Sequence, residues 1–262
     1  MARLRGVIDF TGKIGGLSAY RRKDMDETIV RTKGGASRKK IKTSKSCERV
    51  RENNSEWKGC GRTAGILKSA LLHVYHLKDN NIVCDFSTIF KRMQQEDDAN
   101  IRGQRSILIS KHRDLLEGFR ITQNNPFDSV VRLPLKFEIN RETNSAWVQL
   151  PNLLPEVNLF IPWQQPVFRF VITLQTIVDS HYNYPKSGAN GVGSAPVVYT
   201  EWQTTGQPYT GERIELELKS KDKLDDSWTF ILAVGLEMGI PISNKVTNTA
   251  KYVGSAKILA LG

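Results

Sequence analysis

After Asn124-Asn125-Pro126 the chain changes character, and seven successive runs read as strands: RLPLKFEI, SAWVQL, VFRFVITLQTIV, APVVYTEW, RIELELKS, SWTFILAVGLEM and YVGSAKILAL. Turn-rich loops separate them, and apolar–polar alternation is plainest in KFEI and RIELEL. Short alternating strands bury their apolar faces against one another, so residues 123–262 are predicted to form an antiparallel β-sandwich of immunoglobulin-like type, its strand order left open. Trp147, Phe168, Phe170, Trp228 and Phe230 fall inside these runs and are expected in its core. The loop SHYNYPKSGANGVGSAP, residues 180–196, carries Tyr182 and Tyr184. It is long for a compact sandwich, which makes it the place for a binding surface on that domain, beside the plainer reading of a crossover loop.

Residues 46–122 follow a different period. Cys47, Val50, Asn54, Trp57, Gly61, Ala64, Leu67 or Lys68, and Leu71 recur at three- and four-residue steps, which is a helical seam. Run to about Leu77, such a helix would be on the order of 45 Å long. Gly59, Gly61 and Gly65 each cost about 1 kcal/mol relative to alanine, so a kink near Gly59 is expected. A second helix is predicted from Asp85 as N-cap, with Phe86, Ile89, Phe90 and Met93 on one face, and a third over residues 100–116 with a break near Ser110.

Residues 1–45 read as a small β-sheet followed by a basic arm. VIDFTG, LSAYRR and TIVRTK are its strands, with a turn at Gly15-Gly16. GGASRKKIKTSKS then forms a connector with five bases in thirteen residues, too charged to pack by itself. The whole is α+β: a basic amino-terminal sheet and arm, a helical middle, and a carboxy-terminal sandwich. Charge follows the same partition. The first 62 residues hold 17 lysines and arginines against 7 acids, so they carry +10 of the chain's net +11. A segment of that kind meets a polyanion or a neighbouring protein.

Motifs for chemistry are sparse. Gly12-Lys13-Ile14-Gly15-Gly16 lacks the phosphate-loop spacing and reads as a hairpin turn. His73 and His76, with Cys60 and Cys84, supply four ligand types for a metal, but zinc sites pair their ligands tightly at both ends. One histidine facing solvent and one bordering the core is the expected arrangement. The acid pairs Asp97-Asp98 and Asp225-Asp226, with Asp222 nearby, lack the order of a calcium loop or a neighbour to tune them, and read as helix-end or turn residues. No catalytic residue, cofactor, metal or small-molecule substrate is predicted. Three cysteines without a Cys-x-x-Cys pair argue against a disulfide framework. With no signal-peptide pattern and no apolar run of about 18 residues, a cytoplasmic location, or one within a phage-like assembly, is the expectation.

Two readings use the bases Arg21, Arg22, Lys23, Arg38, Lys39, Lys40, Lys42 and Lys45. In the first, the protein is a non-enzymatic homo-oligomer. Glu48, Glu52 and Glu56 stack at four-residue steps and repel one another, the arm of a neighbouring copy relieves that repulsion, and Trp57, Ala64 and Leu71 pack a partner helix. In the second, the same bases neutralise phosphates of DNA or RNA without sequence preference, since Tyr20 is the one aromatic residue beside them.

The motif GVIDFTGKIGGLSAYRRK, followed by VRTKGG and then by RENNSEW, resembles a set of uncharacterised Bacteroidota proteins sharing G-x-I-x-x-x-G-x-I-G-x-x-x-x-Y, V/A-R-x-K-G-G and R-E-N. The resemblance covers residue 6 to about residue 72, with a weaker echo in NIRG and LLEGF. It implies an intracellular or phage-like structural protein and supplies no activity or site residues.

Overall fold

The computed structural model describes residues 2–4, 10–22, 27–32, 34–182, 196–219, 224–243 and 246–262. Lys23, part of VIDFTG and most of the loop 183–195, including Tyr184, lie outside the described residues. The chain divides into two compact units, residues 1–51 and 52–262. No described helix is long and apolar enough to cross a membrane.

In the first unit four strands, β1 (Ala2–Leu4), β2 (Gly12–Ile14), β3 (Leu17–Arg21) and β4 (Thr28–Thr32), form an antiparallel sheet in the order β1-β4-β3-β2. Gly15, at φ 55°, makes the β2–β3 turn that the sequence predicts. The connector departs from expectation, because it contains a short helix, α1 (Arg38–Thr43). The cause is local. The Ser37 hydroxyl accepts the Lys40 N–H as an N-cap, and the Arg51 guanidinium donates to the Ile41 and Ser44 carbonyls at the other end. Lys40 and Lys42 stand in the last turn, where the helix dipole favours cations.

Helix α2 (Glu48–Ala70) is unbroken through Gly59, Gly61 and Gly65. The break comes at Leu71 (φ −92°, ψ 14°), and the helix resumes as α3 (Leu72–Tyr75). Helix α4 (Ile82–Gln95) starts a turn earlier than predicted, with Asn81 as N-cap and Asp85 in its first turn, a position that also suits an acid. The third predicted helix is absent. Residues 100–116 hold two short 3-10 turns (Ile109–Lys111 and Arg113–Leu115), because their backbone groups are committed elsewhere. Ile107 exchanges two hydrogen bonds with Ser180, Ser110 N–H donates to Asp179, and Gly103 takes a left-handed φ of 88°. The Asp97 carboxylate, meanwhile, accepts the N–H groups of Ala99 and Ser106.

After α5 (Phe127–Val130), all seven predicted runs are strands: β5 (Lys136–Asn140), β6 (Ser145–Gln149), β7 (Val167–Val178), β8 (Val197–Tyr199), β10 (Arg213–Glu217), β11 (Trp228–Ser243) and β12 (Val246–Leu261). A two-residue strand, β9 (Gln203–Thr204), pairs with β7. They form two antiparallel sheets, β10-β6-β5 and β12-β11-β7-β8 with β9 beside β7. Even-numbered residues of the long strands, Phe168, Phe170, Ile172, Leu174, Phe230, Leu232, Val234 and Leu236, share a core with Ala146, Val148, Ile214 and Leu216 of the smaller sheet. Odd-numbered residues Val171, Ile177, Ile231 and Ala233 share a second core with Ala64, Leu67, Leu71, Phe86 and Phe90 of the helices. Trp147 is an exception among the expected core aromatics. Its odd position in β6 turns it outward, beneath Arg213 at 4.1 Å with Nε1 donating to Glu138.

The helical layer therefore packs on the large sheet, and residues 46–122 and 123–262 do not separate into the two domains expected. Gly235 shows how close the approach is, since a Cβ there would lie 2.8 Å from Leu77 and 2.9 Å from Val171. The two cores lie on opposite faces of one sheet and should unfold together. Phe86→Ala is expected to cost about 3 to 5 kcal/mol and to lower the far-ultraviolet dichroism and tryptophan fluorescence midpoints together. Helical signal lost ahead of fluorescence would show the layer to be independent.

Candidate functional site

The first unit holds 15 lysines and arginines against 5 acids. Helix α1 buries no residue, and Arg38, Lys39, Lys40, Lys42 and Lys45 are all exposed. Arg21 and Arg22 are exposed as well, with Arg21 Nε 3.4 Å from the Thr28 hydroxyl on the neighbouring strand. The described bases among those predicted thus lie on or beside β3 and α1, rather than on a connector without structure.

The sheet adds a feature that composition alone does not reveal. Register places Lys13 opposite Ser18 and Ser18 opposite Arg31, one row across three strands. Tyr20, two residues beyond Ser18, points to the same face, and the Arg31 guanidinium lies over its ring at 5.3 Å. Lys13, Ser18, Arg31, Thr32 and Gly34 line an opening of about 430 Å³. The two-residue turn at Gly15-Gly16 is the signal that pairs Lys13 with Ser18, while Arg31 requires the β3–β4 register.

The predicted helix interface is divided. Ala64 and Leu71 are fully buried in the second unit's own core, so they are not free to pack a partner helix. Trp57 is 49% exposed on α2. Glu48 is exposed in the first turn, and Glu52 lies 3.7 Å from Arg102. Glu56 is no surface acid: it is 3% exposed, ion-paired with Lys91, and accepts the Gly103 N–H at 2.8 Å. Burial alone would raise its carboxyl, but the Lys91 ammonium and the Gly103 N–H outweigh that and hold it below its ordinary value. Of the glutamate row, Glu56 thus meets its counter-charge on α4 and Glu52 lies beside Arg102.

A second buried carboxylate was not anticipated. Glu237 on β11 contacts Arg169 at 2.8 Å and His76 Nε2 at 2.9 Å, and Arg169 is stacked against Tyr199 (4.3 Å) and Trp202 (4.4 Å). Burial would raise this carboxyl too, and the two basic partners hold it low. His73 Nδ1 lies 3.2 Å from the Tyr199 hydroxyl. Cys60 meets Gln94, with its thiol pushed up to about 11 by burial, and Cys84 accepts from Asn81. The four residues weighed for a metal thus have separate partners, and among the described residues no group of three His, Cys, Asp or Glu is placed to hold an ion. Asp97 and Asp225 organise turns, the latter accepting the Ser227 N–H.

No known protein family, curated protein or solved structure matches the chain.

The Glu56–Lys91 pair has a pH signature. A carboxyl whose folded pKa is depressed contributes stability above its unfolded value, lost as pH falls through the folded one. Lys91→Ala leaves Glu56 buried without its counter-charge and is expected to cost about 3 kcal/mol at neutral pH. The gap between wild type and variant, measured as urea midpoints, should narrow with falling pH, first as the unpaired carboxyl of the variant protonates and then as the wild-type Glu56, held below its ordinary value, does so too. A gap indifferent to pH would assign the loss to packing.

Proposed function

We propose that the protein is a non-enzymatic nucleic-acid-binding protein that engages phosphates through its basic amino-terminal unit. The observation that carries this reading is the placement of charge. Residues 1–51 carry a net +10, with five bases exposed on and just after α1, whereas residues 52–262 balance 23 bases against 22 acids. Residues 52–262 of a sister copy carry no net negative charge to meet such a unit, and two of the three glutamates suggested as its acceptor are engaged, Glu52 beside Arg102 and Glu56 with Lys91. A polyanion supplies the missing complement. In wild-type protein freed of copurified nucleic acid, the logarithm of oligonucleotide affinity should fall steeply and linearly with the logarithm of salt. Replacing Arg38, Lys39, Lys40, Lys42 and Lys45 with glutamine should remove roughly half of that slope. Binding indifferent to salt would eliminate the reading.

A second reading, self-association, is favoured by a different observation. Beyond Gly239, opposite the first residue of β7, β11 and β12 continue as a two-stranded ribbon on which Ile240, Ile242 and Val246 are 50%, 65% and 50% exposed. Isolated ribbons are marginal in water, and a second copy covers this one by using the same patch twice about a two-fold axis. Ile240→Thr with Ile242→Thr is expected to lower the sedimenting mass to that of a monomer. A wild type that already sediments as a monomer at tens of micromolar (on the order of typical assembly assays) excludes this second reading.

A further inference from the structure

The strongest unassigned feature is the opening on the first unit's sheet. Its lining is Lys13, Ser18, Arg31, Thr32 and Gly34, which brings two cations and two hydroxyls and, among the described residues, no carboxylate. Adjacent strands lie about 4.8 Å apart, so Lys13 and Arg31 rise from strands separated by about 10 Å, with Ser18 between them. Both side chains are long enough to converge over the serine hydroxyl. That set offers three ammonium donors, the guanidinium fork and a hydroxyl, the donor types that a tetrahedral oxyanion accepts from. Beside it the Arg31 guanidinium lies over the Tyr20 ring, and planar guanidinium and aromatic surfaces are those on which unpaired bases stack.

We propose that this face binds single-stranded nucleic acid, seating one backbone phosphate between Lys13, Ser18 and Arg31 and a base against Arg31 and Tyr20. The inference rests on the nucleic-acid reading and deepens it, because the exposed bases of α1 offer charge alone whereas the sheet face discriminates an unpaired strand from a duplex. A duplex keeps its bases stacked inside and presents only phosphates, which the α1 bases meet equally well.

The test uses the full chain, a fluorescent oligo-dT of about 15 nucleotides, a duplex of equal length, and vesicles of neutral lipid with phosphatidylserine. Wild type is expected to bind the single strand more tightly than the duplex. Lys13→Gln with Arg31→Gln should weaken single-strand binding roughly tenfold and lower the salt slope by about 0.7, the share of one phosphate on a single strand, and should abolish the preference. Both residues are exposed, so the variant should keep the wild-type thermal midpoint. Lys39→Gln with Lys42→Gln should lower the slope and leave the strand preference in place. A Lys13→Gln, Arg31→Gln protein that folds normally and keeps slope and preference overturns the sheet-face site while the α1 reading stands. Wild type that binds neither nucleic acid overturns both. Attachment to the anionic vesicles without oligonucleotide binding assigns the cations to a membrane surface and overturns both as well.

Discussion

The structure of the larger unit depends on the pairing of β7 with β11, two strands buried on both faces. Over residues 168–177 and 229–239 every position is buried except Arg169, so neither face of the sheet tolerates water. Such a sheet persists only when both sides are covered. The three-stranded sheet covers one and the helices the other, and neither cover has another place to bury its apolar side. Helix α2 illustrates the dependence. Its glycines and asparagines make it a poor helix by propensity, and Cys60, Ala64, Leu67 and Ala70 hold it in place by packing.

Within that apolar pair sits one ion pair, and its position sets the register. Glu237 lies directly opposite Arg169, on the helical side of the sheet. A one-residue slip of β11 would turn Glu237 into the sandwich core among phenylalanines and leave Arg169 without its carboxylate. Desolvation makes that alternative costly, whereas in the native register the carboxylate meets Arg169 and His76, and Arg169 is clasped by Tyr199 and Trp202. A buried ion pair contributes little net stability against an apolar substitute, yet it discriminates strongly between two arrangements that hydrophobic burial alone would rank alike.

Strands were legible because each carries its own signal in consecutive residues, and all seven runs after Asn124-Asn125-Pro126 fold as strands. The helical seam was legible for the same reason, although its use was not. Periodicity says that Ala64 and Leu71 share a face, and only the sheet opposite them shows that the face is filled by this chain itself. The false helix at 100–116 has a parallel cause. Its apolar spacing is helical, but Asp97, Gly103 and the exchange between Ile107 and Ser180 commit the backbone over distances that a window of sequence does not span. Glu56 reads as a surface acid in the sequence because its partner, Lys91, is 35 residues away. Of the candidate site, the exposed bases on and just after α1 could be read from composition, the Lys13–Ser18 half of the sheet row from the glycine turn, and Arg31 only from strand register.

Segregating charge in this way has a physical consequence for binding. If the unit's net +10 were spread over the whole surface, self-repulsion would be smaller, but so would the local potential that draws in a polyanion. A sheet braces Lys13 and Arg31, and the Ser37 cap with the Arg51 clamp orders the helix that bears Arg38, Lys39, Lys40 and Lys42. Ordering these bases before contact removes part of the conformational entropy that a disordered basic tail loses on binding. The same ordering holds like charges together in the free protein, a cost that a screened, unliganded surface bears weakly and that a phosphate backbone reverses in sign. A polyanion that binds this unit, as proposed, would stabilise its fold by mass action, so the unit's thermal stability would rise with occupancy.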